Sequence, residues 1–245
     1  MPLDVRSGDE RRMKTIGLIG GMSWESTATY YQVINERVRE RLGGLHSAKI
    51  LMESVDFAEI AVHQFADEWD VCAQMVGDVA LRLERAGADF LVISTNTMHK
   101  VAPQIEARLS CPLLHIADAA ALALQKAGIQ RVALLGTKTT MVEPFYKERL
   151  KAQGFDVMVP DEPAMERVDH IIFDELCRGI FDTSSRQHCR DIIAALVSHG
   201  AEGILLGCTE IGLLVKQEDS PVPLFDTTWI HARQAGRLGN GFDMR

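Results

Sequence analysis

Cys208 lies in the run Gly203-Ile-Leu-Leu-Gly-Cys-Thr-Glu-Ile211. A second run of the same kind, Phe90-Leu-Val-Ile-Ser-Thr-Asn-Thr-Met98, carries Thr95 at the cysteine's place. A thiolate takes protons and its thiol returns them, whereas a threonine hydroxyl donates a proton but is a very poor base unless something deprotonates it. Each run reads as a buried β-strand ending abruptly in small polar residues. A matched pair of such ends suits two proton-transfer groups on opposite sides of one small substrate. For Cys208 two readings stay open: a thiol activated by the helix start that follows it, or the inert buried cysteine usual for this residue type. Thr95, Asn96 and Thr97 read either as helix caps and turn residues or as donors that recognise a carboxylate.

Other candidates surround this pair. Gly20-Gly21-Met22-Ser23 is a glycine turn after a first strand, and Gly136-Thr137-Lys138-Thr139-Thr140 resembles an anion cradle rich in hydroxyls, with Lys138 equally able to face solvent. Neither has the G-x-G-x-x-G or Gly-Lys-Ser/Thr spacing of nucleotide loops. His99 and His115 lie near strand ends, where they either tune Thr95 or stabilise an enolate, or serve as ordinary structural histidines. Asp226 orients a donor or caps a helix, Glu210 is a candidate helix-start carboxylate, and Gln64 a neutral substrate contact. No histidine, cysteine or carboxylate cluster has metal-site spacing, and no Gly-x-Ser-x-Gly elbow occurs.

These residues need a frame to bring them together. Apolar strand-length runs at 16–19, 50–55, 90–94 and 113–116 alternate with helical periodicity over 26–42, 68–86 and 101–109. The alternation restarts with strands at 132–135, 157–159, 203–206 and 224–225 and helices near 142–153, 166–178 and 186–199. Unalternating apolar strands between helices predict parallel sheets covered on both faces. The restart is an internal repeat. Lys14-Thr-Ile-Gly-Leu-Ile-Gly-Gly21 matches Gln130-Arg-Val-Ala-Leu-Leu-Gly-Thr137, Ala86–Thr97 matches His199–Glu210, and Pro112-Leu-Leu-His115 matches Pro223-Leu-Phe-Asp226, at offsets of 116, 113 and 111 residues. The expected fold is α/β, with two similar pseudo-symmetric lobes over 13–117 and 118–226 and a segment over 227–245 packing back on the first lobe. Ligands of open α/β sheets bind outside the carboxyl ends of the strands, so the site is expected in the cleft between the lobes.

Composition narrows the classes. The chain has 245 residues, 47% of them apolar, and a net charge of −8, which disfavours nucleic acid and anionic membranes as partners. Five cysteines without a CxxC pair fit reduced thiols, and no apolar run is long enough to cross a bilayer. Residues 1–12 are polar, lack a secretion h-region and read as a disordered extension, with Met13 as an alternative start. A cytoplasmic protein, and a homodimer, are the expectations.

In combination the motifs resemble the aspartate/glutamate racemase family of cofactor-independent amino-acid racemases. The Gly20-Gly-Met22 opening, Thr95-Asn-Thr-Met-His99, Leu135-Gly-Thr137 with Thr140, and Gly207-Cys-Thr-Glu210 fall in family order across about residues 14–230. The resemblance implies an amino-acid substrate, no cofactor and no metal, and removal of the α-proton on one face with return on the other. It implies Cys208 as one acid/base, Asn96, Thr97 and Thr209 as substrate contacts, Met22, Thr137 and Thr140 as a cradle, and Gln64 as a further contact. Donors aimed at the carboxylate must stabilise the carbanion. Thr95 stands where the family's first cysteine is expected, so the mechanism becomes asymmetric, with Cys208 the base toward the L enantiomer and Thr95, or water held by it, serving the other face. Ser54-Val-Asp-Phe57 lacks the arginine that many members use for a distal carboxylate. The alternatives are a sister isomerase or decarboxylase, resembling maleate isomerase or hydantoin racemase, and a non-catalytic amino-acid-binding protein.

Overall fold

The computed structural model describes residues 12–241. The extension expected over 1–12 lies, up to residue 11, outside them, as do the last four residues of the C-terminal segment. The first half runs β1 (Thr15–Gly20), α1 (Trp24–Leu42), β2 (Lys49–Ser54), α2 (Phe57–Phe65), α3 (Trp69–Arg85), β3 (Phe90–Ile93), α4 (Ala102–Glu106), β4 (Leu113–Leu114) and α5 (Ile116–Ala127). The second half repeats it: β5 (Arg131–Gly136), α6 (Lys138–Val142), α7 (Pro144–Lys151), β6 (Asp156–Met158), α8 (Glu162–His170), α9 (Thr183–Ser198), β7 (Gly203–Gly207), α10 (Ile211–Leu214), β8 (Leu224–Asp226) and α11 (Thr227–Gly239).

Two four-stranded parallel sheets result, ordered β2-β1-β3-β4 and β6-β5-β7-β8. The order is the same in both, which is the architectural form of the sequence repeat. In each sheet the chain steps outward from the first strand and then returns to its other side. The strand ends of β1 with β3, and of β5 with β7, therefore flank a topological switch point, where α/β sheets open a crevice. The central strands are apolar throughout because helices cover both faces. On the first sheet, α3 and α4 bury Cys72, Val76, Ala80 and Ile105 against Ile19, Leu91 and Ile93. On the second, α8, α9 and α10 do the same against Ala133, Leu135, Ile204 and Leu206.

The remaining faces are covered crosswise. Helix α5 follows the first sheet but packs Ile116, Ala120 and Leu124 on Val132, Leu134 and Leu205 of the second. Helix α11 follows the second sheet but packs Ala232, Ala235 and Leu238 with α1 on Ile16, Leu18 and Val92 of the first. Each lobe thus completes its core with the other's final helix. His115 and Asp226, equivalent residues of the repeat, cap these two helices, accepting from the N–H groups of Ala117 and Trp229.

Four elements depart from the sequence reading. Residues 57–65 form α2, capped by Asp56 and too short to stand out by periodicity. The sequence reading has no helix over 116–127, because alanine-rich α5 shows little contrast between its faces, and takes 227–245, which holds α11, only as a C-terminal segment. The helix expected over 166–178 starts at Glu162, ends at His170 and passes through a π-helical turn, Ile171–Glu175, and a 3-10 turn, Leu176–Arg178, before Gly179 stops it in a left-handed conformation. Such widened turns gather at functional sites, and this one delivers Ile172, Phe173 and Cys177 to the cleft.

Candidate active site

Apart from the turns after α8, the segments that meet in the cleft follow the carboxyl ends of strands. After β1 the chain turns at Gly21, φ +97°, where a Cβ would stand 2.2 Å from the Val55 carbonyl oxygen. That turn brings Met22 and Ser23 into the cavity wall. Beyond β3 come Thr95, Asn96, Thr97 and Met98; beyond β5, Thr137; beyond β7, Cys208, Thr209 and Glu210. Gln64 and Phe57 reach the wall from α2. Phe65, beside Gln64, meets Phe173 of the other lobe edge to face with ring centroids 5.4 Å apart.

Thr95 and Cys208 thus face one cavity. The surroundings of the thiol differ from the expectation. Cys208 Sγ donates to Glu210 Oε2 at 3.1 Å, and Glu210 also accepts from Thr209 Oγ1 and, across the cleft, from Ser23 Oγ at 2.8 Å. Burial, and then the Glu210 charge, push the Cys208 thiol well above its usual range, so the resting group is a thiol. The predicted lowering by a helix start fails because α10 is only four residues long and a carboxylate outweighs it at hydrogen-bond distance. Glu210 precedes α10 but makes no side-chain cap; it turns to the thiol instead.

Asn96 is only 2% exposed and its orientation is fixed by logic. Thr227 Oγ1 donates its single proton to the Leu206 carbonyl at 2.7 Å, so it must accept from Asn96 Nδ2 at 3.0 Å. Asn96 Oδ1 is left buried without a partner. An acceptor of that kind on a cavity wall suits an ammonium group. Thr97 Oγ1 meets Thr137 Oγ1 across the lobes at 3.3 Å. Thr140 does not reach the wall: it is fully buried, and its hydroxyl lies 3.0 Å from Thr137 Oγ1. The direct contact expected of Thr140 is thereby corrected to support of Thr137. Thr209 lines the cavity, with its hydroxyl proton committed to Glu210. Lys138 points away from the cleft to Glu166 at 3.1 Å.

Behind Thr95 sit three buried histidines. His99 packs against His115 and His231 with ring centroids 4.5 and 5.8 Å away. Burial foremost lowers all three, with a neighbouring histidine's charge adding to each; His115 and His231 fall to about 3.

Sequence reasoning missed Ser23, Phe57, Ile172, Phe173 and Cys177. Ser23 was within reach, because it follows a strand-end glycine turn already singled out. Ile172, Phe173 and Cys177 had no signal, since a continuous helix would have turned them elsewhere. Cys177 is pushed up to about 12 by burial and by Glu210 and Glu25. Among the described residues no group of three or more histidine, cysteine or acidic side chains is placed to hold a metal, and no helix is long and apolar enough to cross a membrane.

Comparison with known proteins fits this geometry. A protein of Yersinia pestis, described as an Asp/Glu racemase, superposes with a TM-score of 0.88 at 50% identity, over 93% of this chain and 99% of its own. An aspartate racemase homologue of Pyrococcus horikoshii OT3 gives a TM-score of 0.80 at 36% identity, again over 93% and 99%. The broad specificity amino-acid racemase RacX of Bacillus subtilis is 23% identical over 87% of this chain and 92% of its own. The Asp/Glu/Hydantoin racemase family profile matches residues 19–235. Two parallel sheets meeting at paired strand ends, and a match across most of the chain, lead to one statement: this protein belongs to the Asp/Glu/Hydantoin racemase family.

Proposed function

We propose that this chain is a cofactor-independent amino-acid racemase in which Cys208 and Glu210 act as one base and Thr95 serves the opposite face. The observation that carries the reading is the Cys208 thiol, held 3.1 Å from a buried carboxylate in the cavity that Thr95 also lines. From the L enantiomer, the thiol hydrogen passes to Glu210 Oε2 as the sulfur takes the α-hydrogen. The Cα–H electron pair stays on the substrate and spreads into its carboxylate. A proton then arrives at the other face from the Thr95 hydroxyl, or from water bound to it, and exchange with solvent restores Glu210 and Thr95. The raised thiol supports this division of labour: a thiolate would be too unstable here to wait for substrate, so a carboxylate must accept the proton as the reaction proceeds.

The remaining wall supports the same reading. Asn96 Oδ1 receives the α-ammonium, and the hydroxyls and backbone donors around Thr97 and Thr137 receive the α-carboxylate. Met22 and Gln64 close the far side. None of the described lining residues is a lysine, so an aldehyde cofactor would find no amine for a Schiff base there. None is an arginine either. Beside the Glu210 side chain, a substrate carrying a second carboxylate would add negative charge to a wall without a cation, and Gln64 answers it only with a neutral amide. Amino acids with short neutral side chains therefore suit the cavity better than aspartate or glutamate.

The test is α-deuteration in D2O, followed by NMR with chiral resolution, for both enantiomers of aspartate, glutamate and a panel of neutral amino acids. Exchange with inversion, strongest for neutral substrates and lost in Cys208→Ala, is the expected result. Full exchange in Cys208→Ala removes Cys208 from its assigned role. Binding of an amino acid with no α-exchange makes the chain a binding protein instead.

A further inference from the structure

The Cys208 side has a carboxylate to hold its acid/base in register, and the Thr95 side has a different device. His99 sits on the 3-10 turn Thr97–Val101, four residues beyond Thr95, and is 1% exposed. Its two ring nitrogens are both engaged. Ile116 N–H, the first amide of α5, donates to Nε2 at 3.2 Å. That N–H has no acceptor within its own helix. With Nε2 accepting, the neutral ring carries its hydrogen on Nδ1, which lies 2.8 Å from the Thr95 carbonyl oxygen and donates to it. Burial keeps the ring neutral, and His115 and His231 pack around it. Helix α5 lies on the second sheet. One side chain therefore ties the backbone of Thr95, on the first lobe, to an element fixed on the second.

We propose that His99 is a positioning residue, bridging the α5 N-terminus and the Thr95 carbonyl so that the Thr95 hydroxyl stands opposite Cys208. The proposal rests on the racemase reading for its kinetic consequence, but its structural consequence stands alone. The ring does not touch the cavity, so it acts only through Thr95.

Two conservative variants divide the ring's functions. His99→Asn places an amide donor near the Nδ1 position and keeps the bond to Thr95 while losing the acceptor for Ile116. His99→Gln places a carbonyl oxygen near the Nε2 position and does the reverse. His99→Leu loses both. Starting from the L enantiomer in D2O, Cys208 generates the carbanion and the Thr95 face completes inversion. A displaced Thr95 prolongs the carbanion, so that the Cys208 thiol exchanges its hydrogen with D2O and returns a deuteron to the original face. The measured ratio is deuterated L substrate to inverted D product. We expect it to rise about tenfold in His99→Leu and His99→Gln, the scale of a misplaced group, and to stay within about twofold of wild type in His99→Asn. General loosening of the fold slows both products together and leaves the ratio unchanged, so an unchanged ratio in His99→Leu overturns the proposal. Crystal structures of His99→Leu and His99→Asn give the second reading. Thr95 should shift in the first and hold in the second; an unmoved Thr95 in His99→Leu overturns the proposal whatever the activity. A wild-type protein that exchanges no α-proton instead sinks the racemase reading, and the crystal structures then decide for His99.

Discussion

Acidification to pH 5 should remove about 4 kcal/mol of folding stability through His115 and His231 alone. Both rings are buried, 3% and 0% exposed, and both titrate near 3 in the folded chain. In the unfolded chain each returns to about 6.5. The unfolded state therefore binds more protons below pH 6.5, and stability falls as the pH drops through that value. At pH 5 each ring forfeits RT ln(1 + 10^1.5), about 2 kcal/mol, relative to neutral pH. His99, lowered well below its usual value by burial and by His115, adds in the same direction. Asp169 and Asp226, whose carboxyls burial raises, act in the opposite sense, but they are two groups against three. A loss of that size is a large part of the ~5–15 kcal/mol that holds a typical domain together. Urea unfolding followed by tryptophan fluorescence at pH 7.5, 6.5, 5.5 and 5.0 measures it, with the denaturant slope constant throughout. Stability that changes by less than about 1 kcal/mol over this range refutes the reasoning. His231→Gln supplies an internal check: it should flatten the pH slope by about one proton's worth, about 1.4 kcal/mol per pH unit, whatever it does to absolute stability.

Glu210→Gln keeps a polar group against Cys208 and Ser23 but leaves no acceptor able to take the thiol proton as a base. Its α-exchange rate from the L enantiomer should fall by about 100-fold or more with the melting temperature nearly unchanged, and an unaffected rate would remove Glu210 from the base. Thr95→Cys gives the second face a stronger base than a hydroxyl, so turnover from the D enantiomer should rise relative to that from L at saturation; identical ratios would deny Thr95 any special role. Gly21→Ala drives a methyl against the Val55 carbonyl at a positive φ and should destabilise the fold by about 3 kcal/mol in urea titration, whereas a loss below 0.5 kcal/mol would mean that the turn relaxes freely.

The sequence was most legible where burial and repetition acted together. Apolar strands such as 16–19 and 203–206 could be placed because a strand covered on both faces has no polar alternation to confuse it. The paired motifs around Thr95 and Cys208 then placed both strand ends on one cleft, since related lobes put related loops together. Helix α5 was harder, because alanine on nearly every face hides which side is buried. The sequence reading has 227–245 packing back on the first lobe, and α11 lies there; nothing local records that 116–127 forms the equivalent helix on the second sheet. At the site, residue types were legible but their partners were not. Glu210 read as a helix-start carboxylate because position alone suggests it; only three dimensions show it accepting from Cys208, Thr209 and Ser23. Thr140 read as a wall residue for the same reason, and lies one layer behind.

The two halves of the site share a wiring plan that differs in charge. In the repeat, Thr95, Asn96 and Thr97 correspond to Cys208, Thr209 and Glu210. Two residues beyond each candidate proton-transfer group, a side chain crosses the cleft to a hydroxyl in the loop after the other lobe's first strand: Thr97 to Thr137 at 3.3 Å, and Glu210 to Ser23 at 2.8 Å. Symmetry thus fixes positions while leaving the chemistry at each free to diverge. On one side the crossing residue is a carboxylate that accepts a thiol proton; on the other it is a hydroxyl that can only share one. The Thr95 side is tied through its backbone, where His99 donates to the carbonyl, so in the mechanism we propose that side is held still and the Cys208 side changes protonation. Enantiomers have equal free energy in water, so such asymmetry leaves the equilibrium alone and forces kcat/KM to match in both directions. It must appear instead as a split, with kcat and KM each differing between L and D by the same factor.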